Sequence, residues 1–146
     1  MTIVMKDTGI IPECYVDTNL TETLTGITCN HQKGCNNVVK LMNEKRADQF
    51  ALGIIDADKR PVAYMDAFVK IASNESLRLL KHPLRPHYII QIVPAVEVFI
   101  LNAVKEAGVN LADFGLPVVF DEFRRETKQP DSKNDFRFKR LFTTLK

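Results

Sequence analysis

Apolar positions along the chain fall into short runs with two different periods, punctuated by polar, Gly- or Pro-containing stretches. Residues 13–16 (ECYV) read as a first strand ending at Asp17. Leu20 and Leu24, four apart, mark a short helical segment over 19–25 that Gly26 stops. Residues 27–31 (ITCNH) open with β-branched side chains and predict a second strand. After the loop 32–35, Asn36 is a suitable N-cap for a helix that puts Val38, Leu41 and Met42 on one face and ends in Glu44, Lys45 and Arg46. Residues 50–55 (FALGII) are apolar without alternation, the pattern of a strand covered on both faces, and they break off in DADKRP. The spacing of Met65, Phe68, Val69 and Ala72 predicts a helix over 62–72, whereas 73–85 shows no clear period. Residues 87–93 form a fourth apolar strand, and Pro94 opens a helix that runs to Ala107 and stops at Gly108. Two further helices are predicted over 117–127 and 132–146, with Pro130 and Asp131 between them.

Strand and helix thus alternate four times, which predicts an α/β fold: an open, mainly parallel four-stranded sheet with helices on both faces. One domain is expected over 1–146, with the α/β core at 13–107 and a C-terminal helical extension at 117–146 packed on it. In the extension, Phe138, Leu141, Phe142 and Leu145 fall at i, i+3, i+4 and i+7, the spacing by which a helix docks on its own core.

A length of 146 residues is enough to bury a real core. The charge balance, 20 Lys+Arg against 18 Asp+Glu, excludes a uniformly basic nucleic-acid binder. No apolar run approaches the roughly 20 residues that cross a bilayer, so no membrane association is expected. The opening MTIVMKDTGIIPE lacks the apolar core and cleavage site of a secretory signal. With three cysteines, Cys14, Cys29 and Cys35, this predicts a cytoplasmic protein with free thiols instead of a disulfide framework. Cys29, His31 and Cys35 lack the paired spacing of a closed zinc site.

The informative chemistry lies at the predicted strand ends, where open α/β sheets bind ligands. Asp17 ends the first predicted strand, and Asp56 and Asp58 follow the third. If those strands are neighbours, three carboxylates converge and repel one another until a cation neutralises them. Mg²⁺ (or Mn²⁺) suits such a set, because it takes a few carboxylate oxygens and keeps waters that a phosphate can displace.

The acid in CYVDTN, the Gly-containing loop in HQKGCNNVVKLM and the Asp-x-Asp of GIIDADK together resemble the Toprim domains of primases, topoisomerases and nucleases. That family carries a Glu after its first strand and an Asp-x-Asp after its third. Asp17 takes the first position by place, as Asp instead of Glu, and Asp56 and Asp58 match the second. Residues 13–107 are covered, and PHYIIQIVPAVEVFI looks like the segment in which nuclease-type members carry a helical Glu, here Glu97. Two family glycines are absent: Thr18 follows Asp17, and none follows Asp58.

The resemblance implies a Mg²⁺-dependent protein acting on nucleic-acid phosphodiester bonds, a nuclease or a nuclease accessory. Asp17, Asp56 and Asp58 would hold metal, and Lys33 or Lys81 would stabilise developing charge. The alternative is a catalytically inactive Toprim-like module that binds a protein or nucleic-acid partner. Lys59 and Arg60 could neutralise the acids, while Lys81, His82, Arg85 and His87 form a candidate substrate-facing loop. From Arg124 to Lys146, eight Lys/Arg face three acids, a basic surplus interleaved with Phe136, Phe138 and Phe142. A receiver domain does not fit, for want of the Thr or Ser after the fourth strand. A haloacid-dehalogenase-type phosphatase does not fit either, because its Asp-x-Asp follows the first strand.

Overall fold

The computed structural model, which describes residues 5–7, 9–57 and 62–146, builds its main sheet around the two unalternating apolar runs. Strands β4 (Ala51–Asp56) and β7 (His87–Ile92) pair in parallel along their whole lengths, Ala51 opposite His87 and Asp56 opposite Ile92. On one side of this pair, β2 (Ile10–Pro12) lies parallel to β4. On the other side, β6 (Leu77–Lys81) and β5 (Val69–Ser73) complete the sheet through antiparallel ladders, giving the order β2-β4-β7-β6-β5. A separate parallel pair joins β1 (Met5–Asp7) to β3 (Ile27–Cys29).

The expected four-stranded, mainly parallel sheet is therefore corrected to a five-stranded mixed sheet, in which two of four ladders are antiparallel. The cause is the segment read as a helix over 62–72. It forms a 3₁₀ turn (Ala63–Ala67) followed by β5, and Asn74 turns the chain back into β6. The Asn74 side-chain oxygen accepts from the backbone N–H groups of Ser76 and Leu77, each at 2.8 Å, the local bond that makes Asn a turn former.

A second correction concerns residues 13–16. They end no strand; β2 stops at Pro12, and Tyr15 already opens α1 (Tyr15–Thr25). The Cys14 sulfur caps this helix by accepting the Asp17 N–H at 3.4 Å, and Gly26, at φ +71°, closes it in the left-handed conformation that glycine adopts without strain. Helix α1 is held by the far end of the chain, because the Asn19 amide donates to the carbonyls of Ser132 (2.8 Å) and Asp135 (3.1 Å).

Adjacent residues of β4 serve opposite faces. Ile55 packs with Val38, Val39 and Met42 of α2 (Cys35–Lys40) and the π-helical turn that continues it. Ile54 packs with Val16 of α1 and with α3 (Val96–Ala107), α4 (Phe120–Thr127) and α5 (Phe136–Leu145). Phe123, Phe138 and Phe142 are fully enclosed in that second layer. Among the described residues, no helix is long and apolar enough to cross a membrane.

Candidate metal centre

Because β2 and β4 run in parallel, their carboxyl ends meet at one edge of the sheet. Glu13 follows β2 directly, and its N–H donates to the Ile54 carbonyl at 2.9 Å. Asp56 closes β4, and its own N–H donates to Glu13 Oε1 at 3.1 Å. The Asp56 side chain accepts at Oδ1 from the N–H of Val96, the first residue of α3, at 3.1 Å. Asp17 points in from the first turn of α1. Glu13, Asp17 and Asp56 are all buried, and each offers a carboxylate oxygen within 4.8 Å of the others. Among the described residues this buried acidic triad is the one cluster able to coordinate a metal ion.

Asp17 is the most constrained of the three. It is completely buried, and neither of its carboxylate oxygens has a hydrogen-bond partner. Burial, then the Asp56 charge, push its carboxyl well above the usual range; the neighbouring Cys14 works against this and the Glu13 charge adds to it. Burial, then the same Asp17, also push the Cys14 thiol up, which leaves it protonated and unsuited to nucleophilic attack. At 4.8 Å and an effective dielectric near 20, two like charges repel by about 3.5 kcal/mol. Three such pairs come to about 10 kcal/mol, comparable to the entire stability of a domain. The triad therefore carries a proton or a cation, and its all-oxygen donor set fits a hard divalent ion better than zinc.

A cleft of about 250 Å³ opens over this centre, lined by Glu13, Asp56, Glu97, Lys33, Thr127 and Lys128 among others. Glu97 sits in the first turn of α3 and is paired with Arg124 of α4, Nε to Oε1 at 3.4 Å. Lys33 is exposed on the loop before α2. Asp58, Lys59 and Arg60 lie outside the described residues.

The remaining candidates are elsewhere. His87 begins β7, whereas Asp56 ends its parallel neighbour β4. Five residue steps of about 3.3 Å thus put the 81–87 segment about 17 Å away, at the opposite edge of the sheet. His87 is fully buried there: its Nε2 bonds the Arg46 carbonyl at 2.7 Å, and its Nδ1 the Tyr64 hydroxyl at 2.5 Å. His82 stacks on Tyr64, and Lys81 donates to the His82 carbonyl at 2.9 Å. These groups brace the turn before β7 and do not face the acids. Cys29 and Cys35 are buried free thiols, and His31 stacks beside Tyr15 with its ring centroid 4.8 Å away.

Glu13 is the residue that the pattern of apolar runs hides. Its signal was the TGIIPE stretch, in which two Ile residues and a Pro form a minimal strand that delivers a Glu to the sheet edge. No protein-family model, no curated protein and no solved structure matches the chain.

Proposed function

We propose that the protein is a Mg²⁺- or Mn²⁺-dependent, Toprim-like protein that acts on phosphodiester bonds of nucleic acid. The observation that carries this reading is Asp17: a buried carboxylate with two unpartnered oxygens, aimed at two further carboxylates. A buried group of that kind calls for a ligand, and a divalent cation is the ligand its neighbours favour.

The order of the acids supports the family reading. With Glu13 directly after β2 and Asp56 ending β4, the first acid is a Glu, as in the Toprim pattern, and Asp17 becomes an additional carboxylate beside the pair. Where that pattern has a glycine after the first acid, this chain has Cys14, whose sulfur caps α1. The antiparallel β5–β6 hairpin is a further departure from a parallel sheet. A bound divalent ion would polarise a phosphate oxygen and lower the pKa of a coordinated water. The chain's own part is to hold that ion by Glu13, Asp17 and Asp56, to bring Lys33 to the cleft and to close the back of the site to water by burying Asp17.

Calorimetric titration with Mg²⁺ and Mn²⁺, followed by incubation with oligonucleotides, tests the reading. The wild type should bind one or two ions and cleave, and Asp56→Ala should do neither. Absence of metal binding, or equal binding by Asp56→Ala, would overturn it. Metal binding without cleavage would make the protein the inactive binding module instead.

A further inference from the structure

Helix α4 belongs to the C-terminal extension, outside the segment that resembles Toprim domains, yet it reaches the acidic cleft. Its charge is polarised: Asp121 and Glu122 occupy the first turn, Arg124 and Arg125 the last, and Lys128 caps its end. Lys128 and Thr127 line the cleft over the acids, and Lys128 also lines an adjoining groove with Arg124, Arg125 and Asp121. Arg124 is committed to Glu97. The one acid within the basic turn, Glu126, is drawn off by Arg137 of α5 at 3.1 Å. Among the described residues, Arg125 and Lys128 have no acidic partner, and both are exposed.

We propose that the basic end of α4 is the track along which a nucleic-acid strand leaves the metal centre: Lys128 receives the phosphate at the cleft and Arg125 the next one along. This rests on the metal-dependent reading above and gives its nucleic-acid substrate a path across the surface, beyond the nucleotide at the metal. The cleft's volume, about 250 Å³, falls just below the roughly 300 Å³ of the smallest pockets that enclose a small ligand. A nucleotide seated over the acids would extend past its rim, and the groove that shares Lys128 with the cleft is walled by α4. Cations at a helix end also gain from the helix dipole; that effect alone would show in stability and leave ligand binding unmoved.

Fluorescence anisotropy of a short labelled oligothymidylate, with oligouridylate run alongside, tests the proposal in buffer containing Ca²⁺. DNA and RNA share the backbone phosphates, so the probe that binds more tightly identifies the preferred sugar and is carried into the variants. Arg125→Ala and Lys128→Ala should each reduce the slope of log K against log salt by about 0.7, and the double variant by about 1.4. Their melting temperatures should fall by no more than the roughly 4 °C that the lost helix-dipole interaction explains, and their Mg²⁺ binding by calorimetry should match the wild type. An unchanged salt slope, or displacement of the probe by thymidine monophosphate as effectively as by unlabelled oligonucleotide, would overturn the track. Since metal binding is read separately, either result leaves the metal centre standing; loss of Mg²⁺ binding in the wild type would instead remove the reading on which the track rests.

Discussion

Asp17→Asn tests the electrostatics of the centre most directly. The side chains have nearly the same shape, and the new amide can donate to the carboxylates of Glu13 and Asp56, so the fold should persist. In the metal-free wild type, the folded-state pKa of Asp17 lies above its ordinary value of 3.8. Between those two values the folded protein holds a proton that the unfolded chain has lost, so stability falls as pH rises through the window. Measured from 3.8 to pH 7, at 1.36 kcal/mol per unit, the cost is at most about 4 kcal/mol. Asparagine removes that slope.

Thermal unfolding from pH 5 to 8, with EDTA and with Mg²⁺, reads the effect. In EDTA the variant should melt above the wild type at pH 7, by up to about 8–16 °C if each kcal/mol moves the midpoint about 2–4 °C. Mg²⁺ at a hundred times its dissociation constant should raise the wild type by about 5–10 °C, the equivalent of about 2.7 kcal/mol. That gain should grow with pH as the competing proton leaves, and the variant should lose most of it. Parallel pH profiles for the two proteins in EDTA, or equal stabilisation of both by Mg²⁺, would refute the reasoning.

Gly53→Ala should destabilise by about 1–3 kcal/mol in urea unfolding, because a Cβ there would lie 3.0 Å from Val38 Cγ1 and 3.1 Å from Met42 Sδ. Phe138→Ala should cost about 3–5 kcal/mol in the same assay, since the ring is fully enclosed beside Phe123 and Phe142. Burial, then Arg85, His87 and Lys81, hold His82 below its ordinary 6.5. Its Nδ1 accepts the N–H groups of Leu84 and Arg85 at 3.1 and 3.2 Å. An NMR titration of the ring should therefore find its midpoint under 6.5, and His82's contribution to stability should disappear as pH falls through that value.

The parts of the fold that could be read from the chain are those whose burial is locally uniform. Residues 50–55 and 87–93 were expected as strands, and Ala51–Asp56 and His87–Ile92 are strands, because both faces of each are largely covered and most positions are apolar. The hairpin was hidden by coincidence. Met65, Phe68, Val69 and Ala72 fit a helical period, yet Val69 and Ile71 are exposed on the edge strand β5, where packing does not dictate residue type. Tyr15 and Val16 are strand formers by propensity, but α1 is fixed by Asn19 reaching Ser132, 113 positions away, which no local pattern reports. Moving that one boundary exchanged the acid at the strand end, from Asp17 to Glu13.

The same boundary decides how charge is arranged around the cleft. Without a cation, three ionised carboxylates would outnumber Lys33 and Lys128 at the lip, and Glu97 and Arg124 cancel each other, so the metal-free site offers a phosphate no net attraction. One proton on Asp17 only balances the count. A dication in its place turns the local field positive, and a singly charged phosphodiester then restores neutrality. On the proposed reading, metal and phosphate binding are coupled, and linkage makes the coupling reciprocal: a phosphodiester ligand would tighten Mg²⁺ by the same factor that Mg²⁺ tightens the ligand. Asp17, completely buried, would then act on a phosphate ligand through the ion alone.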